Sequence, residues 1–383
     1  MDRQALALPD CQTVRYLALT PIQYRSRALR LLFLAKRQPQ QRDLIDRPYG
    51  RFHHLPVALA ALGHDVRVQL CSHRGLDSTQ AQRQGVQWSS HDLRTLGPHG
   101  LLRRIESEAR AFRPDWIIGC SDTWYGWLAH RLARRCDASL AIDAYDNYEA
   151  YMPWNVPLHF AWRRALREAD LVTAAGPQLA ALLQEHRPKG SRSGIVPMAA
   201  DPGFSKLDKA QCRAALGLAP AAPLVGYSGG WTRSRGTWSL LDGFRRLRAR
   251  IPDCQLVLSG RPPADACNEP GVVSLGYLDD AQLPLLLNAL DVAAIVTANT
   301  AFGRYSYPAK LCEAMACGVP VVATATEPVR WMLNDDPRFL VPPGSTGEMA
   351  DRMLSNLELG SVDYGVLPSW HESSLRFDAL LAA

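Results

Sequence analysis

The feature that most constrains the fold of this chain is an alternation along nearly its whole length, in which a short apolar run is followed by a longer amphipathic stretch. Alternating strand and helix signals of this kind predict parallel strands joined by crossover helices. In the first half, strands are predicted at 29–35, 66–72, 116–120, 140–145, 171–175 and 194–198. In the second half, they are predicted at 224–228, 255–259, 272–276, 292–297, 319–323 and 339–341.

The alternation pauses between residues 199 and 223, a stretch that contains Pro202, Gly203, Pro220 and Pro223. Because 383 residues suit two domains better than one, we place a domain junction here. The predicted fold is α/β, with two Rossmann-like doubly wound domains that face each other across a cleft. The predicted division is an N-terminal extension at 1–28, domains at 29–205 and 206–365, and a C-terminal helix at 366–383 that crosses back to the first domain.

Charge and cysteine content narrow the classes of partner. Lys and Arg number 43 against 37 Asp and Glu, and the net charge of +6 suits an anionic ligand or an anionic membrane surface, although plain solubility is an equal explanation. The chain has no dense run of Lys and Arg, so its charge pattern does not favour binding to nucleic acid. The nine cysteines lack zinc-like spacing, so no metal site is predicted. No apolar run approaches the roughly 20 residues of a membrane helix. We therefore expect a cytoplasmic protein whose membrane contact, if any, is peripheral.

The most informative segment lies at 305–324 and reads YSYPAKLCEAMACGVPVVAT. Pro308 suits the first turn of a helix that ends before Gly318. The amino end of such a helix binds anions, and a diphosphate is a natural ligand. Lys310 can reach the same anion, and Glu313, one turn further on, can accept hydrogen bonds from a ribose diol. From spacing alone, the alternative is that Lys310 and Glu313 only cap and solubilise the helix.

This segment resembles glycosyltransferase family 4, whose members have the GT-B fold. The residues that carry the resemblance are Pro308, Lys310, Leu311, Glu313 to Ala316, Gly318 and Pro320 to Val322. The resemblance implies a nucleotide-sugar site that includes Tyr307, Pro308, Lys310 and Leu311. It also implies that Glu313 is the ribose-binding carboxylate.

A second stretch, at 225–230, is similar to the first strand and turn of the family's nucleotide domain, and it predicts that Gly229 and Gly230 bind the donor. Family members usually follow this turn with an Arg and a Lys that hold the diphosphate. In this chain, Trp231 stands at the place of that Arg, and Arg235 takes the place of the Lys. Arg233 can supply a second charge, since guanidinium groups bind phosphate bidentately. Solvent exposure of both arginines is the alternative.

Three further sites are predicted by the resemblance. Tyr277 lies in a stretch similar to the loop that contacts the nucleotide base. Gly50 lies in a stretch similar to the family's loop that faces the donor phosphates, although a plain turn is an equal explanation. Asp146 and Glu149 follow a predicted strand and are candidates for orienting the acceptor hydroxyl, although the same residues could cap the next helix.

The family's Glu-x7-Glu pattern is broken in this chain, because Tyr305 stands where the first Glu is expected. The resemblance implies a retaining, metal-independent transfer from a nucleotide-diphosphate sugar to a carbohydrate or lipid-linked acceptor, as in bacterial polysaccharide or glycolipid synthesis, without a further cofactor. The predicted catalytic residues are Asp146, Glu149, Arg235 and Lys310. Two alternatives remain open: a nucleotide-sugar epimerase on the same fold, and a non-catalytic nucleotide-binding partner protein, which Tyr305 keeps in consideration.

Overall fold

The computed structural model describes residues 27–232 and 235–383. Apart from its last two residues, the predicted extension at 1–28 lies outside this range, and so does Arg233. The described residues form two sheets, one from each half of the chain.

Apart from one hairpin, the first half alternates strands and helices in the order that the sequence predicts. Its elements are β1 Arg30–Lys36, α1 Arg51–Ala61, β2 Asp65–Ser72, β3 Thr79–Arg83, β4 Val86–Asp92, α2 Leu93–Phe112, β5 Trp116–Cys120, α3 Thr123–Cys136, β6 Ser139–Ala144, α4 Val156–Glu168, β7 Leu171–Ala174, α5 Pro177–Gln184 and β8 Ser193–Ile195. Their strand order is β3-β4-β2-β1-β5-β6-β7-β8.

The centre of this sheet is β1, whose apolar run Leu31 to Ala35 is buried. It pairs in parallel with β2, where Leu31 lies opposite Val66, and with β5, where Leu31 lies opposite Trp116. A parallel strand covered by helices on both faces needs apolar side chains on both, so it shows a continuous apolar run. That run is why the sequence predicted this strand.

The hairpin formed by β3 and β4 was not predicted. The two strands are antiparallel, and Arg83 pairs with Val86 across a turn in which both Gln84 and Gly85 have positive φ. Such a two-residue turn matches the twist of a hairpin. The strand Thr79–Arg83 is polar and mostly exposed, so it carries no apolar signal.

The second half forms the second sheet, with the strand order β11-β10-β9-β12-β13-β14. Its strands are parallel throughout. Its elements are α6 Lys209–Ala215, β9 Leu224–Gly229, α7 Thr237–Arg248, β10 Gln255–Gly260, α8 Ala264–Cys267, β11 Val272–Ser274, α9 Gln282–Ala289, β12 Val292–Ile295, α10 Ala309–Ala316, β13 Val321–Thr324, α11 Glu327–Met332, β14 Leu340–Val341 and α12 Thr346–Leu357.

The last helix, α13 Trp370–Ala382, packs against the first half of the chain. It begins with a capping box between Ser369 and Glu372. The Phe377 ring is fully buried, 6.3 Å from that of Phe33 in β1. The Ser373 hydroxyl donates to the carbonyl of Pro197 at 3.0 Å. The chain therefore ends on the first sheet's side of the molecule.

Across residues 27–232 and 235–383, the structure has no helix that is both long enough and apolar enough to cross a membrane.

Candidate functional site

A cavity of about 240 Å³ lies between the two sheets. From the first half it is lined by Tyr145 and Asp146, which directly follow β6. From the second half it is lined by Gly229, at the end of β9, and by Thr297, shortly after β12. The carboxyl ends of parallel strands from both sheets therefore meet at one cavity, which is where open α/β folds bind ligands.

Helix α10 directs its amino end toward this cavity, because Pro308, Ala309 and Lys310 are all lining residues. Pro308 is the N-cap of this helix rather than a residue of its first turn, since its ψ of 117° is extended rather than helical. The carbonyl of Pro308 accepts the N–H of Leu311 at 3.0 Å. The helix stops at Gly318, whose φ of +66° is left-handed. A helix end of this kind carries a partial positive charge toward the cavity.

Glu313 and Lys310 share one face of α10, three residues apart, and both line the cavity. The Lys310 Nζ atom lies 2.9 Å from Oε2 of Glu313, and Glu313 as a whole is only 9% exposed. The lysine therefore neutralises and orients the buried carboxylate. The sequence predicted Lys310 as a phosphate ligand, and the structure adds this second role.

The end of β9 and the loop that follows it supply Gly229, Gly230 and Arg235 to the cavity lining. The Tyr227 hydroxyl donates to the carbonyl of Gly230 at 2.9 Å and fixes the turn. Gly236 has a φ of +72° and is the N-cap of α7, so the chain turns sharply just after Arg235. Arg235 is exposed and faces the space where the sequence predicted a diphosphate.

Trp231, which stands where the family has an arginine, is part of the hydrophobic packing. Its ring meets those of Tyr227 and Trp238 edge to face, at centroid distances of 6.0 Å in both cases. It is not among the residues that line the cavity. On the second-domain side of the cavity, the positive charge that the described residues bring therefore comes from Arg235 and Lys310.

Asp146 is a buried acid that lines the cavity. The Tyr151 hydroxyl donates to its Oδ2 at 2.7 Å, while its buried Oδ1 has no hydrogen-bond partner among the described residues. Burial raises the pKa of Asp146 to about 7, against opposing contributions from Tyr151, Ser306 and Arg235. A carboxyl group whose pKa lies near neutrality, with one oxygen unpaired, is suited to receive a hydrogen bond or a proton from a ligand.

Two of the predicted residues do not line the cavity because their side chains are engaged elsewhere. The Glu149 carboxylate is held bidentately by Arg163, at 2.8 and 2.6 Å, outside the cavity. The Leu311 side chain is fully buried in the hydrophobic core, and its N–H is bonded within the helix start. The geometry therefore does not support the roles predicted for Glu149 in catalysis and for Leu311 in donor binding, which stay predictions.

Gly50 and Tyr277 also lie outside the lining. The Gly50 N–H donates to both carboxylate oxygens of Asp201, at 3.1 and 3.0 Å, so the linker between the domains occupies the amino end of α1. Tyr277 is 58% exposed, and its hydroxyl accepts a hydrogen bond from Arg47 at 3.1 Å. Gly50 is therefore a structural cap of the helix, and Tyr277 belongs to a contact between the domains.

Tyr307 lines the cavity with its ring but directs its hydroxyl into the first domain. The hydroxyl oxygen accepts from the N–H groups of Gln178 and Leu179, at 3.2 and 3.4 Å, and donates to the Gln178 side chain at 2.7 Å. Gly176 allows the ring to approach, since a Cβ there would lie 2.1 Å from it. The hydrogen bonds of Tyr307 therefore connect the start of α10 to the start of α5 across the cleft.

An ionic contact at the mouth of the cleft was not predicted from the sequence. Arg42 and Arg47, from the loop before α1, both bind Asp280, at 2.5 and 3.0 Å. Asp280 follows Tyr277 in the loop before α9. No local pattern marks these partners, because they lie more than 230 positions apart.

Within the described ranges, no group of three or more His, Cys, Asp or Glu side chains is arranged to hold a metal ion.

Two family models match the chain. The one described as "Glycosyl transferase 4-like domain" matches residues 50–199, and the one described as "Glycosyl transferases group 1" matches residues 222–358. The first match covers helices and strands of the first sheet, and the second covers the second sheet with α10. Both halves of the site therefore lie inside matched regions.

Among curated proteins, a D-inositol 3-phosphate glycosyltransferase of Mycolicibacterium gilvum is 32% identical over 234 residues, covering 55% of this chain and 49% of that protein. A phosphatidyl-myo-inositol mannosyltransferase of Propionibacterium freudenreichii is 35% identical over 115 residues, covering 30% of this chain and 29% of that protein. The chain therefore matches about half the length of the first relative and less of the second.

Among solved structures, a sucrose-phosphate synthase from Thermosynechococcus elongatus has a TM-score of 0.68 at 17% identity, covering 92% of this chain and 98% of that one. HepE from Anabaena, solved in complex with UDP-glucose, has a TM-score of 0.68 at 17% identity, covering 92% of this chain and 94% of that one. At these identities the likeness establishes the fold.

Proposed function

We propose, from the membership of this chain in the GT-B glycosyltransferases of family 4, that it moves a sugar from a nucleoside-diphosphate sugar to an acceptor hydroxyl. One observation carries the proposal. Glu313, Lys310 and Arg235 from the second domain and Asp146 from the first line the same cavity. Carboxylate, cations and a helix amino end are the groups that a nucleoside diphosphate requires.

In this proposal the second domain holds the donor. Glu313 accepts hydrogen bonds from the ribose hydroxyls, and its hydrogen bond with Lys310 holds the carboxylate in place. The diphosphate lies between the amino end of α10 and Arg235. Negative charge grows on the diphosphate as the glycosidic bond breaks, and preorganised positive groups stabilise that charge most in the transition state. The solved relative HepE, which binds UDP-glucose, supports this class of donor.

The first domain receives the acceptor. Oδ1 of Asp146 has no partner among the described residues, so it can accept a hydrogen bond from the attacking hydroxyl, while Tyr151 holds Oδ2 in place. Because Asp146 lies across the cavity from the donor-binding residues, domain closure brings donor and acceptor together and excludes water. We propose a retaining transfer without a metal ion, with Arg235 and Lys310 stabilising the leaving group.

The acceptor class that we propose is a carbohydrate or a lipid-linked carbohydrate. The relatives named for transfer to inositol phosphate and to phosphatidyl-myo-inositol support glycolipid or polysaccharide synthesis. We further propose that the transfer takes place at the inner face of a membrane, which the chain contacts peripherally. Sugar transfer is tested by incubating the chain with nucleotide sugars, with and without an acceptor extract, and analysing the products. A glycosylated acceptor supports the proposal, whereas a new sugar epimer formed without acceptor supports an epimerase instead.

Arg235→Ala should weaken the binding of a nucleoside diphosphate about 10- to 100-fold at low salt, because a charge-assisted contact with phosphate is lost. The affinity of the variant should also depend less on salt concentration, since exposed charges are screened. Isothermal titration at two salt concentrations measures both effects. Arg246→Ala is the matched control, because Arg246 is an exposed arginine of the same domain that does not line the cavity. Equal titration curves for Arg235→Ala and the wild type would remove Arg235 from the site.

A further inference from the structure

The outer surface of the first domain carries a group of exposed aromatic and aliphatic side chains around α3 and α4. Trp154 is 76% exposed, Phe160 73%, Val156 54% and Trp124 48%. They belong to two helices that pack against each other and to the residues just before α4. Large apolar side chains exposed singly are common, but a cluster of them marks a surface that binds something.

Helix α4 has two distinct faces. Its inner face is buried against the domain by Leu158, Trp162, Ala165 and Leu166. Its outer face follows the helical spacing i, i+4, i+7, i+8 and i+11. That face consists of Val156, Phe160, Arg163, Arg164 and Arg167. The outer face is therefore apolar over its first turns and basic over its last turns.

An open groove between α3 and α4 continues this combination of apolar and basic side chains. Trp127 and Phe160 line one part of the groove. The charged lining consists of four arginines and one glutamate: Arg134, Arg163, Arg164, Arg167 and Glu168. Arg164 is paired with Glu168 and Arg163 with Glu149, and with both pairs counted as neutral, Arg134 and Arg167 still give the groove a positive excess. Arg167 has no ion-pair partner in the part of the chain that the structure describes.

The apolar part of this surface lies on the side of the cleft. In an α/β domain of parallel strands, each helix begins near the carboxyl end of the strand before it. Trp124 is the second residue of α3, just after β5, and Val156 begins α4, a short segment after Asp146. That segment also contacts the second domain, since the ring of Tyr151 lies 5.7 Å from that of Phe302. The exposed aromatics are thus neighbours of the proposed acceptor site.

We infer that the α3–α4 surface, formed by Trp124, Trp154, Val156 and Phe160 with Arg134, Arg163, Arg164 and Arg167, docks on an anionic lipid bilayer. Tryptophan and phenylalanine favour the boundary between headgroups and acyl chains, and arginines bind lipid phosphates. The apolar side chains of this surface suit the boundary of the acyl chains, and its arginines suit the anionic headgroups of the same bilayer. The inference rests on the proposed function only in that docking would present the cleft to a lipid-linked acceptor.

The test is co-sedimentation of the full chain with vesicles of phosphatidylcholine alone and with vesicles that contain phosphatidylglycerol. The wild type should partition at least about tenfold more strongly onto the anionic vesicles, and high salt should reduce the difference. Trp154→Ser combined with Phe160→Ser should lower that partitioning about tenfold or more. Arg164→Glu combined with Arg167→Glu should abolish the preference for anionic vesicles.

Matched controls lie on other surfaces. Val366→Ser removes a side chain that is 71% exposed, and Arg103→Glu reverses an exposed arginine of α2. Both should sediment like the wild type. If the wild type does not bind anionic vesicles, or if the surface variants bind as well as the controls, the inference is wrong. If light scattering shows a wild-type dimer that Trp154→Ser with Phe160→Ser dissociates, the surface belongs to a second copy of the chain, and the inference is also wrong.

The variants also separate this inference from the proposed function. Nucleotide binding by the surface variants, followed by thermal shift, should equal that of the wild type, because the cavity does not include these residues. Loss of vesicle binding with intact nucleotide binding supports the docking role. Vesicle binding by a chain that binds no nucleotide would refute the proposed function while leaving the docking surface in place.

Discussion

Asp146→Asn is expected to lower kcat for sugar transfer by about 10²- to 10⁴-fold, the range usual for loss of a positioned acid or base. Asparagine has the same shape but cannot accept a proton at neutral pH. The buried Oδ1 of Asp146, without a hydrogen-bond partner among the described residues, is the atom that would receive the acceptor hydroxyl. Steady-state kinetics with the acceptor identified by product analysis measure the loss.

The pH dependence of kcat/KM, compared between the wild type and Asp146→Asn, is a second test of the role of Asp146. Since burial raises the pKa of Asp146 to about 7, the carboxylate forms only as the pH rises through that value. Wild-type kcat/KM should therefore increase with pH between about 6 and 8. Asp146→Asn should lack this rise. Glu149→Gln is the control for activity, because Glu149 lies outside the cavity and should be dispensable for transfer.

As the pH rises, the stability of the folded chain should fall while its transfer activity rises. The pKa of Asp146 is higher in the folded chain than the ordinary value of 3.8, so folding disfavours its ionised form. The free energy of unfolding should consequently fall as the pH rises from about 4 to about 7. Asp146→Asn removes this cost, and it should gain roughly 2–4 kcal/mol at pH 8 and little at pH 4. An asparagine variant that is fully active, or one that is less stable at pH 8 than the wild type, would remove Asp146 from its proposed role.

Arg51→Met should destabilise the first domain by about 3–5 kcal/mol, because it leaves a buried carboxylate without its partner. Arg51 donates two hydrogen bonds to Asp143, at 2.7 and 2.6 Å, and a third to the carbonyl of Val196 at 2.8 Å. Both side chains of the pair are nearly inaccessible, at 1% and 2% exposure. Chemical or thermal unfolding of the variant measures the loss.

Two comparisons make this prediction specific. Replacing both members, as Arg51→Met with Asp143→Leu, should recover a large part of the lost stability, since no unpaired buried charge remains. Arg245→Ala breaks an exposed pair with Glu269 and should cost no more than about 1 kcal/mol. If Arg51→Met costs no more than Arg245→Ala, the buried pair does not stabilise the domain in the way that its geometry indicates.

The sequence predicted most of the fold because buried parallel strands have a strong local signal. Apolar runs such as that of β1 need no partner information, and β5 was predicted with its observed bounds. The polar strand β3 was missed, because its stability comes from pairing with β4 rather than from burial of its own side chains. The partners of α13 within the first domain likewise depend on contacts between distant segments.

The site was predicted where the chemistry lies on one short segment and missed where it depends on the other domain. The segment that contains Lys310 and Glu313 is continuous, so its spacing alone places both groups on one helix face. The Asp201 that occupies the N–H of Gly50 lies 151 positions away, and no pattern near Gly50 signals it. In the same way, the raised pKa of Asp146 comes from burial in the folded cleft, which the residues around it in sequence do not reveal.

In the proposed binding mode, the amino end of α10 binds a diphosphate while Glu313 binds the ribose of the same nucleotide. Isothermal titration with a panel of nucleoside diphosphates and with inorganic pyrophosphate separates the two contacts. Glu313→Ala should weaken the tightest nucleoside diphosphate at least about tenfold, since the ribose contact is lost. The same variant should bind pyrophosphate at least as tightly as the wild type, since Lys310 keeps its charge and is released from its ion pair with Glu313. Glu327→Ala, an exposed acid in the first turn of α11, should behave like the wild type. Unchanged nucleotide affinity in Glu313→Ala, or no nucleoside diphosphate bound by the wild type, would contradict the account.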